Sequence, residues 1–217
     1  MSLATRPTVK PGRPTMSQAA ALGDHIVAVA RNHFFANGYG STTMDNIAMD
    51  AGISKTTLYR RYKTKADLFT AFLLDQNLRW SAHNPHLNAP ASKDLRKALV
   101  DRVEAFMLAG LTEASVNLAR LIYAESGRFP ELAQIFHDNS FASAVNIIAT
   151  DLAIAAGHDQ AVEEFVPAAS LLQDIIGGYA YRLILQGRAD KISTAEIRSW
   201  AEQTVAVFLD GYVPPRA

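Results

Sequence analysis

The sequence predicts an all-α protein in two parts, an N-terminal three-helix unit containing a helix-turn-helix and a larger, wholly helical remainder. Three observations carry this. Apolar residues recur at helical spacing from Ile26 to Leu209, and Gly, Pro and capping residues punctuate them. No stretch shows the period-two alternation, bounded by turns, of a strand. The clearest break, residues 81–92 with His83, Asn84, Pro85, His86, Asn88 and Pro90, falls well before the middle of the 217 residues.

Residues 1–16 hold Pro7, Pro11, Gly12 and Pro14 with Arg6, Lys10 and Arg13, and read as a disordered basic arm. Such an arm either adds contacts to a polyanion or is a solvated tail. Ser17 is placed to cap a first helix reaching Asn37, with Ile26, Val29, Ala30, Phe34 and Phe35 as its apolar stripe and Asn37-Gly38 as its stop. His25 and His33 on that helix are eight residues apart, too far to share a metal ion.

The next stretch is the most informative. Thr42 with Asp45 has capping-box spacing, and Ile47, Ala48 and Ala51 share one helical face. Gly52 supplies a turn, Ser54 caps a second short helix, and Leu58 returns to pack on Ile47 and Ala51. Small Ala48 lets the two helices approach closely, which is the inner logic of a helix-turn-helix. The outer face of the second helix carries Lys55, Thr56, Thr57, Tyr59, Arg60 and Lys63, rich in donors and without an acidic residue. Thr64-Lys65-Ala66-Asp67 forms a further capping box, opening a connector helix through Leu68, Phe69, Phe72, Leu73 and Leu78. Phe34, Phe35, Ile47, Leu58, Tyr62 and Phe69 are expected to close the small core. The organisation expected is an arm over 1–16, a helix-turn-helix DNA-binding domain over 17–64 and a larger helical domain over 65–217.

Only helical patterns follow: 94–108, 113–126, a turn at Gly127-Arg128-Phe129-Pro130, one long helix over 131–156 closed by Gly157, then 162–186 and 194–212. The last two are apolar on more than one face, and Gly177-Gly178 inside the first of them costs about 1 kcal/mol per glycine relative to alanine. Close approach of another helix would offset that, so these two helices are expected to pair with their copies in a second chain, the alternative being the centre of one chain's core.

Composition narrows the function classes. There is no cysteine, which excludes disulfides, thiolate metal sites and cysteine nucleophiles. No apolar run has membrane-spanning length, and no signal-peptide core is visible, so a cytoplasmic protein without membrane contact is expected. The net charge of zero conceals ten basic against five acidic residues in 1–80 and the reverse bias, eleven against sixteen, thereafter. A basic module fused to an acidic one suits polyanion binding at the N-terminus. His83 and His86 lack a third ligand nearby, and no nucleophile–base set, metal-ligand spacing or phosphate-cradling loop is present, so neither a metal, a cofactor nor an enzyme is expected. A helical adaptor whose basic face binds nonspecifically is the remaining rival.

Phe34-Phe35, Gly38-Tyr39, Thr42-Thr43-Met44, Ile47-Ala48, the run from Ala51 to Tyr59, Tyr62, Lys65 and Leu68-Phe69 together resemble the DNA-binding domain of the TetR family of transcriptional regulators. Gly127-Arg128-Phe129-Pro130-Glu131-Leu132 resembles, less specifically, a turn in AcrR-like and AefR-like C-terminal domains. The resemblance implies a homodimeric repressor or activator that binds double-stranded DNA and a small-molecule effector. It implies that Tyr59 meets the DNA backbone, that Thr42, Thr43 and Lys65 hold phosphates, that Lys55, Thr56 and Thr57 face the bases and that Tyr62 packs inside. Arg60 reaching guanine, Ser54 and Lys63 complete the expected DNA-binding set. A largely hydrophobic effector is expected against Phe106, Met107, Tyr123, Phe136, Phe141 and Tyr179. Arg120, Glu125 and Arg182 are either polar anchors for it or structural ion pairs.

Overall fold

The computed structural model describes residues 16–83, 87, 94–158 and 161–211, so the basic arm up to residue 15 and most of the 81–92 break lie outside the described residues. Among them there is no strand, and the order is α1 (Met16–Ser41), α2 (Met44–Asp50), α3 (Lys55–Arg61), α4 (Lys65–His83), α5 (Leu95–Gly110), α6 (Glu113–Glu125), α7 (Pro130–Phe136), α8 (Ala142–Ala155), α9 (Val166–Leu185) and α10 (Thr194–Asp210). The predicted stops hold at Gly52 and Gly157, with φ of 65° and 74°, whereas Gly38, at φ 77°, kinks α1, which runs on to Ser41. Pro130 opens α7 at its first turn as expected. Ser17 is not a cap, because α1 is already helical at Met16.

The long helix expected over 131–156 is interrupted. A π-helical turn, His137–Phe141, joins α7 to α8. At this turn Asn77 of α4 donates its Nδ2 to Asn139 O at 2.8 Å and to Ser140 Oγ at 3.2 Å. A side chain inserted into the backbone ladder is a regular companion of such bulges.

Two apolar cores organise the chain. The first joins Ile26, Ala30 and Phe34 of α1, Ile47 and Ala48 of α2, Leu58 of α3 and Leu68, Phe69 and Phe72 of α4 to Leu118, Ile122 and Leu132 of α6 and α7. The second joins Leu99, Val103 and Met107 of α5, Ile148 and Leu152 of α8, Leu172 and Ile176 of α9 and Ile197, Ala201 and Val205 of α10. Through it runs a buried ion pair, Arg102 Nε to Asp151 Oδ2 at 2.8 Å, tying α5 to α8. Arg198 of α10 reaches Asp101 and Glu104 of α5, at 2.7 Å each. Outward from α9 and α10 point Leu171, Ile175, Leu185 and Val207.

The turn after α6 is docked on the kink of α1. Glu125 Oε2 accepts the Gly40 amide at 2.9 Å, and the Phe129 ring sits edge-on to Tyr39 at 5.3 Å. Gly38 combines φ 77° with ψ 168°, a region only glycine occupies freely, and a Cβ there would collide with Glu125 Oε1. Gly38→Ala is therefore expected to lose about 1–3 kcal/mol. Removing the clash with Glu125→Ala in the same chain should recover only part of it, as read by urea unfolding of the four members of the cycle.

Candidate nucleic-acid interface and cavity

Packing fixes the inner face of the α2–α3 unit as the sequence predicts, with Ile47, Ala48 and Leu58 all buried. Gly52 turns the chain in the left-handed region, and Ser54 caps α3 by accepting the Thr57 amide at 3.1 Å. The cap of α2 lies one residue later than its spacing implies. Thr43, at φ −115° and ψ 148°, accepts the Asn46 amide at 3.2 Å. Thr42 is instead 1% exposed and donates its hydroxyl to Gly38 O at 2.7 Å, at the kinked end of α1. Asp45 completes no capping box, because its carboxylate accepts from Lys55 Nζ at 2.6 Å. The α3 face thus borrows one acidic neighbour from α2.

Of the ten residues expected at DNA, Thr43, Ser54, Lys55, Thr56, Tyr59, Arg60 and Lys63 are exposed on one side of α2–α3 and the turn beyond it. Tyr59 is 45% exposed. Thr57 is half-buried, its hydroxyl 2.9 Å from that of Ser54. Thr42 and Lys65 turn inward. The Lys65 ammonium donates to Tyr39 O at 2.6 Å and to Thr42 O at 2.9 Å, and stands 4.3 Å from the centre of the Tyr39 ring. It serves as a cationic cap on the carbonyl end of α1, and burial lowers its pKa from the ordinary lysine value. A lysine at a helix start reads as a phosphate ligand in sequence, and the carbonyls that claim it are more than twenty residues away. His33 Nε2, 2.8 Å from Asp50 Oδ2, pins α1 to α2. The Thr64–Asp67 capping box is as predicted, reciprocal at 3.0 Å both ways.

Tyr39 sits at this junction, 2% exposed, and its hydroxyl is pushed up to about 12 by burial first and then by the charge and hydrogen bond of Glu131. A raised folded-state pKa stabilises fully below the unfolded value of about 10 and loses that contribution as pH climbs through the folded value. Stability is therefore expected to fall between about pH 10 and 12, and Tyr39→Phe should flatten that limb in denaturant unfolding followed across the range.

Beyond α4 lies a cavity of about 800 Å³, bounded by α4, α5, α6, the end of α7, the π turn, α8 and α9. Four of the expected effector residues line it: Phe106, Tyr123, Phe136 and Phe141. Met107 does not, being fully buried in the second core; one helical residue separates it from Phe106, enough to turn it away. Tyr179 does not either, since its ring stacks on Trp200 of α10 at 4.2 Å, with the Arg182 guanidinium 5.0 Å above it. Arg120 is exposed, Glu125 holds Gly40, and neither they nor Arg182 line the cavity. Residues that sequence reasoning missed include Leu74, Asn77 and Leu78 of α4 and Gln173 and Asp174 of α9. Burial, and after it the neighbouring Tyr181, raises the Tyr123 hydroxyl above its usual value. No group of metal-ligating side chains occurs among the described residues, and no single described helix is long and apolar enough to cross a membrane.

Known proteins share both parts. The family of bacterial regulatory proteins, tetR family, matches residues 26–72, and the AefR-like transcriptional repressor C-terminal domain matches residues 97–214, more than half of the chain. The regulator QacR of Staphylococcus aureus strain Mu50 is 39% identical over 59 residues, 27% of this chain and 31% of QacR. AcrR of Shigella flexneri is 36% identical over 58 residues, 27% of each chain. The chain thus spans about a third or less of the length of these curated relatives. The solved structure of the flavonoid-responsive regulator FrrA is 26% identical with a TM-score of 0.67, covering 88% of this chain and 96% of FrrA. A helix-turn-helix matched by the one profile, followed by a helical domain matched by the other, places the chain in the TetR family of DNA-binding transcriptional regulators, which are not enzymes.

Proposed function

We propose that the protein is a homodimeric repressor of a near-palindromic operator, released when a small, largely hydrophobic effector occupies the 800 Å³ cavity. The observation that carries this is α4, which belongs to both ends of the mechanism. Its Leu68, Phe69 and Phe72 are core to the DNA-binding unit, while its Leu74, Asn77 and Leu78 wall the cavity. An effector that prefers one setting of α4 biases the spacing of two recognition helices, by no more than its difference in affinity for the two settings. That lever is α4 itself, which starts at Lys65.

A two-fold dimer sets its recognition helices about one DNA turn, or a multiple, apart, so its site reads as a near-palindrome. The apolar stripe Leu171, Ile175 and Leu185, exposed along α9, supports that helix as the dimer face. Thr43, Ser54, Lys55, Thr56, Thr57, Tyr59, Arg60 and Lys63 form the contact surface, with Lys55 and Thr56 toward the bases and Tyr59 on the backbone. The flavonoid-responsive regulator FrrA likewise answers to a small molecule.

Selection of bound duplexes from a random pool tests the reading. Enrichment of a palindrome supports it, and uniform weak binding would favour the adaptor. Tyr59→Ala is expected to lose more than ~1 kcal/mol of operator affinity while light scattering still shows the dimer. Unchanged affinity would remove Tyr59 from the interface.

A further inference from the structure

The basic face of α2–α3 holds an acid that a surface built only for affinity would lack. Asp45, in the first turn of α2, and Lys55, the first residue of α3, meet across the helix-turn-helix with Nζ 2.6 Å from Oδ2. Both side chains are more than half exposed, at 52% and 64%. Among the described residues neither has a second side-chain partner. An ion pair this open to water adds little to folding. It also weakens docking on any duplex, because phosphates repel the carboxylate and the lysine it neutralises is lost as a phosphate contact. Stability and general affinity leave the pair unexplained, and base reading accounts for it.

A lysine ammonium carries three N–H donors, and Asp45 takes one of those of Lys55. Two remain, beside a carboxylate with lone pairs to spare. In the major groove guanine offers two neighbouring acceptors, O6 and N7, and its cytosine partner sets the N4 amino donor next to O6. A guanine–cytosine pair thus meets both free donors with its acceptors and the carboxylate with its donor. An adenine–thymine pair places its acceptors on either side of the adenine amino group, so the ammonium reaches only one of them. The four-carbon stem of lysine is flexible, and the bond to Asp45 tethers its end. We propose that Asp45 is a specificity-determining residue: it positions the Lys55 ammonium on guanine and itself accepts from the paired cytosine. One guanine–cytosine pair in each half-site is then read jointly by an acid from α2 and a lysine from α3. This rests on α2–α3 being the DNA-reading face.

The test compares the duplexes selected from a random pool by the parent, Asp45→Ala and Lys55→Ala, each as the full chain. The parent is expected to enrich a guanine–cytosine pair at one position of each half-site, and exchanging it for adenine–thymine should weaken binding about tenfold. In Asp45→Ala the preference at that position should largely vanish. Binding of the same variant to a mixed-sequence duplex at low salt should tighten about fivefold, the effect of removing one charge a few ångströms from a phosphate in water. Lys55→Ala should relax the same position but weaken the mixed-sequence duplex, and the double variant should relax that position and no other. Base preferences unchanged in Asp45→Ala, or relaxed at a position that Lys55→Ala leaves intact, overturn the assignment while an enriched palindrome still upholds the regulator. Weaker binding of the mixed-sequence duplex by Asp45→Ala overturns it too, since the acid would then be supporting the shape of the face. A parent chain that enriches no site overturns both.

Discussion

Truncating Phe34 to alanine is expected to cost about 3–5 kcal/mol of folding stability, the range for removing a large aromatic from a closed core. Phe34 is fully buried, and its ring lies 5.6 Å from Tyr39, 5.3 Å from Phe69 and 6.1 Å from Phe72. Those three neighbours come from the kink of α1 and from α4, so the void would open where the DNA-binding unit meets its connector. Little nearby can collapse into it, because Phe69 and Phe72 also lock each other edge to face at 5.7 Å. Typical domains have only about 5–15 kcal/mol in hand, so the variant should unfold at markedly lower urea and lose operator binding as it does. Phe35→Ala is the control. That ring is half-buried and reaches Phe72 alone among the aromatics, so its loss should cost clearly less. Equal midpoints for the two variants would show that the cluster is not the organising core.

What could be read in the sequence divides along a physical line. Local chemistry was legible: Gly52 in a left-handed turn, Ser54 over Thr57, the reciprocal Thr64–Asp67 box and Pro130 at the start of α7 each depend on residues within a few positions of one another. The apolar face of α2–α3 was legible for the same reason. Misreadings arose where a distant partner decides the outcome. Thr42 and Thr43 are equivalent caps on paper, and only the kink at Gly38 turns Thr42 inward. Lys65 has the chemistry of a phosphate ligand, but the carbonyls of Tyr39 and Thr42 reach it first. Glu125 resembles a ligand anchor until Gly40, 85 residues earlier, donates to it. Helix faces in the second domain carry the same ambiguity. Phe106 lines the cavity and Met107 does not, and one residue of rotation separates them. Nothing in the pattern of α4 or α9 says which stripe meets an empty space rather than a neighbouring helix, so Asn77, Gln173 and Asp174 went unseen.

The second large effect is expected at Asp151. Its carboxylate is 1% exposed and meets Arg102, 7% exposed, through Nε at 2.8 Å and Nη2 at 3.3 Å. Taking two charges out of water costs several kcal/mol per ion, and their attraction offsets this only while both are present. Asp151→Ala leaves the guanidinium buried without its carboxylate and should destabilise by about 3–5 kcal/mol. Replacing the pair together, Arg102→Met with Asp151→Leu, removes both desolvation costs and fills the space, so it should be close to neutral or more stable by up to about 4 kcal/mol. A double-mutant cycle in urea reads the difference directly. The pair joins α5 to α8, which contribute Phe106 and Ile147 to the cavity wall. If its role is to hold those helices in register, the double variant should fold as well as the parent yet bind probes in the cavity less selectively. If it retains both stability and selectivity, the ion pair is dispensable to the site. A single variant that costs less than about 1 kcal/mol would instead mean that the remaining interactions of the guanidinium hold it without Asp151.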